Sequence, residues 1–125
     1  MAQENVKMYC IMAQESVEKM KTSRGKMCAQ AGHAFVHAAL KTASEFPEHL
    51  DAYINSKHAF KIVLIVDTVT ELEILQAAYN ELCATVLIKD KGLTVFEEPT
   101  VTCLGIGPLP DRLKGNDLRL LKTFY

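Results

Sequence analysis

Along this chain short, mostly apolar runs alternate with stretches whose apolar and polar positions recur with a period near 3.6. Residues 6–14 (VKMYCIMAQ) are mostly apolar and read as a strand. Residues 61–66 (KIVLIV) are a short β-branched run, the pattern of a strand buried on both faces. Residues 85–89 and 101–106 predict a third and a fourth strand. After the first strand, the polar stretch 15–25 predicts a loop, and a long helix follows from Gly25 to about Ser44. Within that helix Lys26, Gln30, His33, His37, Lys41 and Ser44 recur at steps of four, three, four, four and three. They form one narrow polar stripe on an otherwise apolar or small-residue surface, so the helix is expected to be packed over most of its circumference. Phe46-Pro47 breaks it, and Pro47 suits the first turn of a short second helix through about Ser56. Asp67-Thr68 begins another helix: Thr68-Val69-Thr70-Glu71 matches a capping box, and Leu72, Leu75, Tyr79 and Leu82 supply the apolar stripe. The tail from Asp111 to Tyr125 reads as a short helix interrupted at Gly115-Asn116, then a segment of no defined type.

The order strand, helix, helix, strand, helix, strand implies parallel strands joined by right-handed crossovers. The expected fold class is α/β: a three-layer α/β/α sandwich with a four-stranded mixed sheet, in a single domain over residues 1–125. The link from Asp90 to Thr100 has no helical pattern and is too short for a crossover helix. Strand four should therefore run antiparallel beside strand three or a neighbour.

Composition narrows the functional classes. With 49% hydrophobic and 23% charged residues, the chain is an ordinary globular sequence rather than a disordered one. No apolar run approaches a membrane span, and Met1-Ala2-Gln3-Glu4-Asn5 has no basic region leading into an apolar stretch, so a cytoplasmic protein is expected. A net charge of -1 argues against a generally basic, nucleic-acid-coating protein. Contact with RNA would have to come from a local patch, and Lys19, Lys21, Arg24 and Lys26 provide one. Cys10, Cys28, Cys83 and Cys103 are scattered in apolar settings, which predicts buried free thiols rather than a disulfide or a zinc site.

The long helix is entered through Gly25 and carries Lys26, not an acidic residue, in its first turn. Free backbone N–H groups, the positive end of the helix dipole and a cation therefore meet at one place suited to an anion. The predicted topology brings Asp90, ending strand three, and Thr102, near the start of strand four, to that same sheet edge, where α/β proteins bind their ligands. Lys26, Asp90 and Thr102 could together form a hydrolytic site: the lysine to stabilise an oxyanion or hold a phosphate, the aspartate to orient or deprotonate water, the hydroxyl to fix that water or the substrate carbonyl. Asp90 before Gly92 is equally a normal turn residue, and Thr102 a normal strand residue. His33 and His37 sit at i and i+4, but no third ligand is spaced to complete a metal site, so they read as half-exposed helix histidines. His49 and His58 have no evident partner. Gly105-Ile106-Gly107-Pro108 lacks the third glycine and the following helix of a dinucleotide loop, and Ser16 and Ser23 lack the glycines of a nucleophile elbow. Met8, Met12, Met20 and Met27 are expected to fill gaps in the core.

These same residues carry a family resemblance. Gly25-Lys26, Ala29-Gln30 and His33-Ala34 resemble the Gly-Lys-x-x-Ala-Gln-x-x-His-Ala signature of type 2 (archaeal and eukaryotic-type) peptidyl-tRNA hydrolases. A second block is similar to Asp90-Lys91-Gly92-Leu93-Thr94 followed, after the family's seven-residue spacing, by Thr102-Cys103-Leu104-Gly105-Ile106-Gly107-Pro108. The resemblance runs from about Val6 to Tyr125, with the middle of the chain matching only in pattern. It implies an enzyme that cleaves the ester joining a peptide to the 3′ ribose of tRNA and needs neither metal nor other cofactor. By motif match Lys26, Asp90 and Thr102 fall on the catalytic positions, with Gln30, His33, Thr94, Arg24 and Lys91 expected to contact substrate. The implied partner is peptidyl-tRNA, not DNA or a membrane, and a homodimer fits the family. The chain departs from the pattern at Leu93 (usually arginine), Lys91 (usually alanine), Lys89 (usually glutamine) and Ala31-Gly32 (usually Cys-Ser). Lys91 restores charge beside Asp90 without arginine's bidentate geometry. The competing expectation is a diverged, catalytically silent homologue that binds RNA or a protein. A small-molecule hydrolase or transferase using the same helix end is a third.

Overall fold

The computed structural model describes residues 5–92 and 96–125. In chain order the elements are β1 (Val6–Ala13), α1 (Gln14–Met20), α2 (Arg24–Glu45), α3 (Pro47–Ile54), β2 (Lys61–Val66), α4 (Val69–Tyr79), β3 (Thr85–Asp90) and β4 (Thr100–Pro110). A 3-10 turn (Asp111–Leu113), α5 (Asn116–Arg119) and β5 (Lys122–Thr123) complete it. The strands form one mixed sheet in the order β3-β4-β1-β2-β5. β1 and β2 are parallel, whereas β4 runs antiparallel to both β1 and β3, as the short link before it requires. β3 therefore points the same way as β1 and lies at the sheet's edge.

Alternation along β1 divides the core. Tyr9, Ile11 and Ala13 pack with Leu72, Leu75 and Tyr79 of α4, while Cys10 and Met12 pack with Val17 and Met20 of α1 and Ala34 of α2. Helices thus cover both faces of the sheet. α4 starts as its capping box predicts, Thr68 Oγ1 accepting the Glu71 N–H at 3.3 Å. Leu72, Leu75 and Tyr79 are buried, but Leu82 lies beyond the helix end and is exposed.

Four expectations need correction. The sheet has five strands, not four: the tail returns as β5 and pairs antiparallel with β2, Leu64 opposite Thr123 and Ile65 opposite Lys122. Residues 15–20, expected as part of a loop, form α1 together with Gln14, expected as the end of the first strand, because Val17 and Met20 are buried three positions apart and hold one helical face on the core. Cys28 is exposed, unlike the other three cysteines. Finally, α2 is not packed around most of its circumference. Its buried stripe is only Gln30, Ala34, Ala38 and Thr42, while Val36 and Leu40 are exposed. Steps of four keep that stripe on one side, and its small residues let the helix lie very close to the sheet.

The closest approach is at Gly105 in β4. A Cβ built there would stand 2.5 Å from the backbone oxygen of Ala34. Thr42 Oγ1 adds hydrogen bonds to the carbonyl of Ala38 at 2.6 Å and of Gly107 at 3.2 Å. Gly105-Ile106-Gly107-Pro108 is therefore an internal stretch of β4 that seats α2, not a ligand loop. Gly105→Ala should force α2 away from the sheet and cost about 1–3 kcal/mol, as overpacking does. Urea unfolding measures this, and an unchanged midpoint would contradict the contact.

Candidate active site

α2 begins at Arg24, one residue before the expected start at Gly25. Ser23 is the N-cap, its Oγ accepting the Lys26 N–H at 3.3 Å, and no acidic residue occupies the first turn. Serine just before a helical stripe is the sequence signal for this role. The cap fixes the first turn, and that turn carries Lys26 over the end of β3.

Asp90 is the last residue of β3, and its Oδ1 accepts a charge-assisted hydrogen bond from Lys26 Nζ. Its Oδ2 accepts the backbone N–H of Gly92 at 2.8 Å. Gly92 has φ of 81°, and a Cβ there would stand 2.6 Å from the Glu98 backbone, so the turn requires glycine. Asp90 therefore closes the turn and pairs with the lysine at once. The pair is largely withdrawn from solvent, with side chains 18% (Lys26) and 7% (Asp90) exposed. The Lys26 hydrogen bond holds the Asp90 carboxyl below its ordinary value, and the Gly92 N–H and the lysine's charge act in the same direction against the opposing effect of burial.

Thr102, in β4, is fully buried. Its hydroxyl donates to Gln30 Oε1 at 2.7 Å, so it stands behind the Gln30 side chain. Cys103 Sγ donates to the Gln30 carbonyl at 3.5 Å, adding a second tie between this turn of α2 and β4.

Lys26, Asp90 and Gln30 open into a cavity of about 660 Å³ between α2 and β3. Its wall continues along the predicted polar stripe through His33 and His37, whose rings stack at 5.8 Å with 26° between planes. The opposite wall is β3 itself, from Val86 to Asp90, ending at Lys91. Among the expected site residues, Lys26, Gln30, His33, Asp90 and Lys91 line this cavity, and Thr102 braces it from behind. Arg24 is exposed at the helix start and does not line it, and Thr94 lies outside the described residues, as does Leu93. His37 and Lys89 also line it, beyond the expected site residues; the polar stripe marks His37, and Lys89 stands where the family pattern usually has glutamine. Among the described residues, no three His, Cys, Asp or Glu side chains group to hold a metal ion.

The site is thus an ammonium group and a carboxylate at the mouth of a cavity, with an amide held behind them. Such a set can hold water against a carbonyl and stabilise the negative charge of its addition product.

Comparison with known proteins points the same way. A family model for peptidyl-tRNA hydrolase PTH2 matches residues 6–123. The chain is 40% identical over 95 residues to the peptidyl-tRNA hydrolase of Thermococcus onnurineus (strain NA1), covering 75% of this chain and 80% of that protein. It is 39% identical over 108 residues to the peptidyl-tRNA hydrolase of Sulfolobus acidocaldarius, covering 78% of this chain and 88% of that protein. With the corresponding protein of Methanopyrus kandleri it shares 36% over 107 residues, covering 82% and 90% respectively. A match of this length, on a chain whose two sequence blocks converge at one cavity, makes this protein a member of the peptidyl-tRNA hydrolase PTH2 family.

Proposed function

We propose that this protein hydrolyses the ester between a peptide and the 3′ ribose of tRNA, releasing free tRNA. The observation that carries this is the Lys26–Asp90 ion pair at the mouth of the cavity. An ion pair so far withdrawn from water is not an efficient way to gain stability, and its place in a ligand-sized cavity favours a chemical role.

In the reaction, water adds to the ester carbonyl carbon, the carbonyl oxygen takes up negative charge, and the bond to the ribose 3′ oxygen breaks. The peptide leaves as a carboxylate; one proton of the attacking water passes to the ribose 3′ oxygen and the other is released to solvent. Asp90, held below the ordinary carboxylate range by Lys26, is a carboxylate at neutral pH but a weak proton acceptor. Its role is to orient the water through a hydrogen bond. An ammonium group has three donors, so Lys26 keeps its bond to Asp90 and has others for the developing oxyanion. The Thr102 hydroxyl occupies the Gln30 oxygen, leaving the amide N–H₂ as the end offered to substrate. Thr102 is a positioning residue on this account. His33 and Lys91 border the bound ester, and exposed Arg24, with Thr94, completes the expected substrate contacts. Lys26 supplies the charge that a metal supplies in other hydrolases, so the reaction runs without one. A cytoplasmic location and a homodimer belong to the same proposal.

Release of tRNA from a model peptidyl-tRNA tests it. Wild type should hydrolyse the ester in the presence of a chelator, and Lys26→Ala should lower turnover by about 10²-fold or more, as loss of an oxyanion donor does. A folded wild-type protein without hydrolysis would contradict the proposal and point instead to a module that binds RNA or a protein.

The electrostatics give a second prediction. Because the folded-state value of Asp90 is lowered, its ion pair contributes stability that is present above the unfolded carboxylate value and lost as pH falls through the folded one. In Lys26→Met the main lowering influence is gone and burial remains, so Asp90 should titrate at higher pH than in wild type. Carboxyl chemical shifts followed through an acid titration measure this, and an unmoved Asp90 would contradict the pairing.

A further inference from the structure

The cavity does not end at the ion pair. It runs back along the outer edge of β3, which has no neighbouring strand on that side among the described residues. Which backbone groups face the cavity follows from the bonds made on the other side. The Ala84 carbonyl accepts the Gly107 N–H at 3.0 Å, and the Ile88 carbonyl faces the Thr102 hydroxyl of β4 at 3.4 Å. Alternation along β3 then turns the backbone of Thr85, Leu87 and Lys89 outward; the register shift between Ile88 and Lys89 leaves this unbroken because the extra residue, Thr102, lies in β4. The Thr85 carbonyl confirms this direction, because it is taken by Lys41 Nζ, reaching across from α2, at 3.0 Å. Lys41 thereby stops the free edge at one end, and Asp90 lies at the other.

We propose that the peptide half of the substrate adds to this edge as a short parallel strand, an inference that rests on the peptidyl-tRNA hydrolase reading above. Polarity follows from the ester's position. The peptide's C-terminal carbonyl must lie at Lys26 and Asp90, so the chain runs back towards Lys41 in the same sense as β3. In a parallel pairing, the residue opposite Ile88 donates its N–H to the Leu87 carbonyl and accepts the Lys89 N–H. Counting from the ester opposite Asp90, that is the third residue of the peptide. From Asp90 to Val86 the edge spans roughly 13 Å at strand rise, and the α2 wall from Lys26 to His37 roughly 16 Å at helix rise, room for about five residues. Main-chain pairing gives affinity without reading side chains. An enzyme whose substrates carry any peptide sequence needs recognition of that kind. Val86 and Ile88 supply an apolar floor, and Ala29 opposite them leaves room for the added chain.

The test uses wild-type protein and peptidyl-tRNAs that differ only in the peptide. kcat/KM should rise with length from one to about five residues, by on the order of tenfold or more for the added main-chain hydrogen bonds, and then level off. N-methylation of the third residue from the ester should remove most of that gain, whereas N-methylation of the second or fourth, whose N–H groups face away, should not. Equal kcat/KM for one- and five-residue substrates, or equal effects of methylation at all three positions, would overturn the edge-strand assignment and leave the groove to the RNA. No hydrolysis of any substrate would instead remove the peptidyl-tRNA hydrolase reading, and this inference with it.

Discussion

The working arrangement of this protein depends on how closely α2 lies against β4. Gly105 without a side chain and a helix stripe of Ala34 and Ala38 let backbone meet backbone. A helix held at that distance cannot slide or tilt without a clash, so its first turn has a fixed height over the sheet edge. Lys26 reaches Asp90 because of that constraint, and Gln30 reaches the Thr102 hydroxyl for the same reason. Packing deep in the structure thereby sets the geometry of charged groups at its surface.

One consequence is that the site's residues each serve two purposes. Asp90 closes a glycine turn and holds the lysine. Gln30 belongs both to the buried stripe of α2 and to the wall of the cavity. Lys41, far from the ion pair, blocks the last outward carbonyl of β3 and so gives an otherwise open sheet edge a defined length. Exposed strand edges invite unwanted pairing, and here the free portion is roofed by α2 and reserved for a ligand.

Much of this was legible in the sequence, and the limits are physical. The polar stripe from Lys26 to His37 marks the cavity wall because a helix repeats its faces at a fixed period. Convergence of Lys26, Asp90 and Thr102 followed from counting crossovers, since Asp90 to Thr100 is too short to return a parallel strand. What could not be read was the depth of each group: Thr102 and Gln30 look like any strand threonine and helix glutamine until burial separates them. The packing of α2 departs from its pattern because alanine and glycine count as apolar yet bury little, leaving Val36 and Leu40 exposed. α1 rests on two apolar side chains and β5 on two residues, both too short for a period to register. The Gly105 contact depends on a partner seventy-one positions away and has no local signal at all.

The central claim is that Lys26 and Asp90 act as one unit at the ester. A double-mutant cycle on single-turnover tRNA release, with Lys26→Met, Asp90→Asn and the double variant, tests it most directly. If the two groups work together, the double variant will be about as slow as the slower single variant. Losses that multiply in the double variant would mean that the two residues act independently, and would contradict the account.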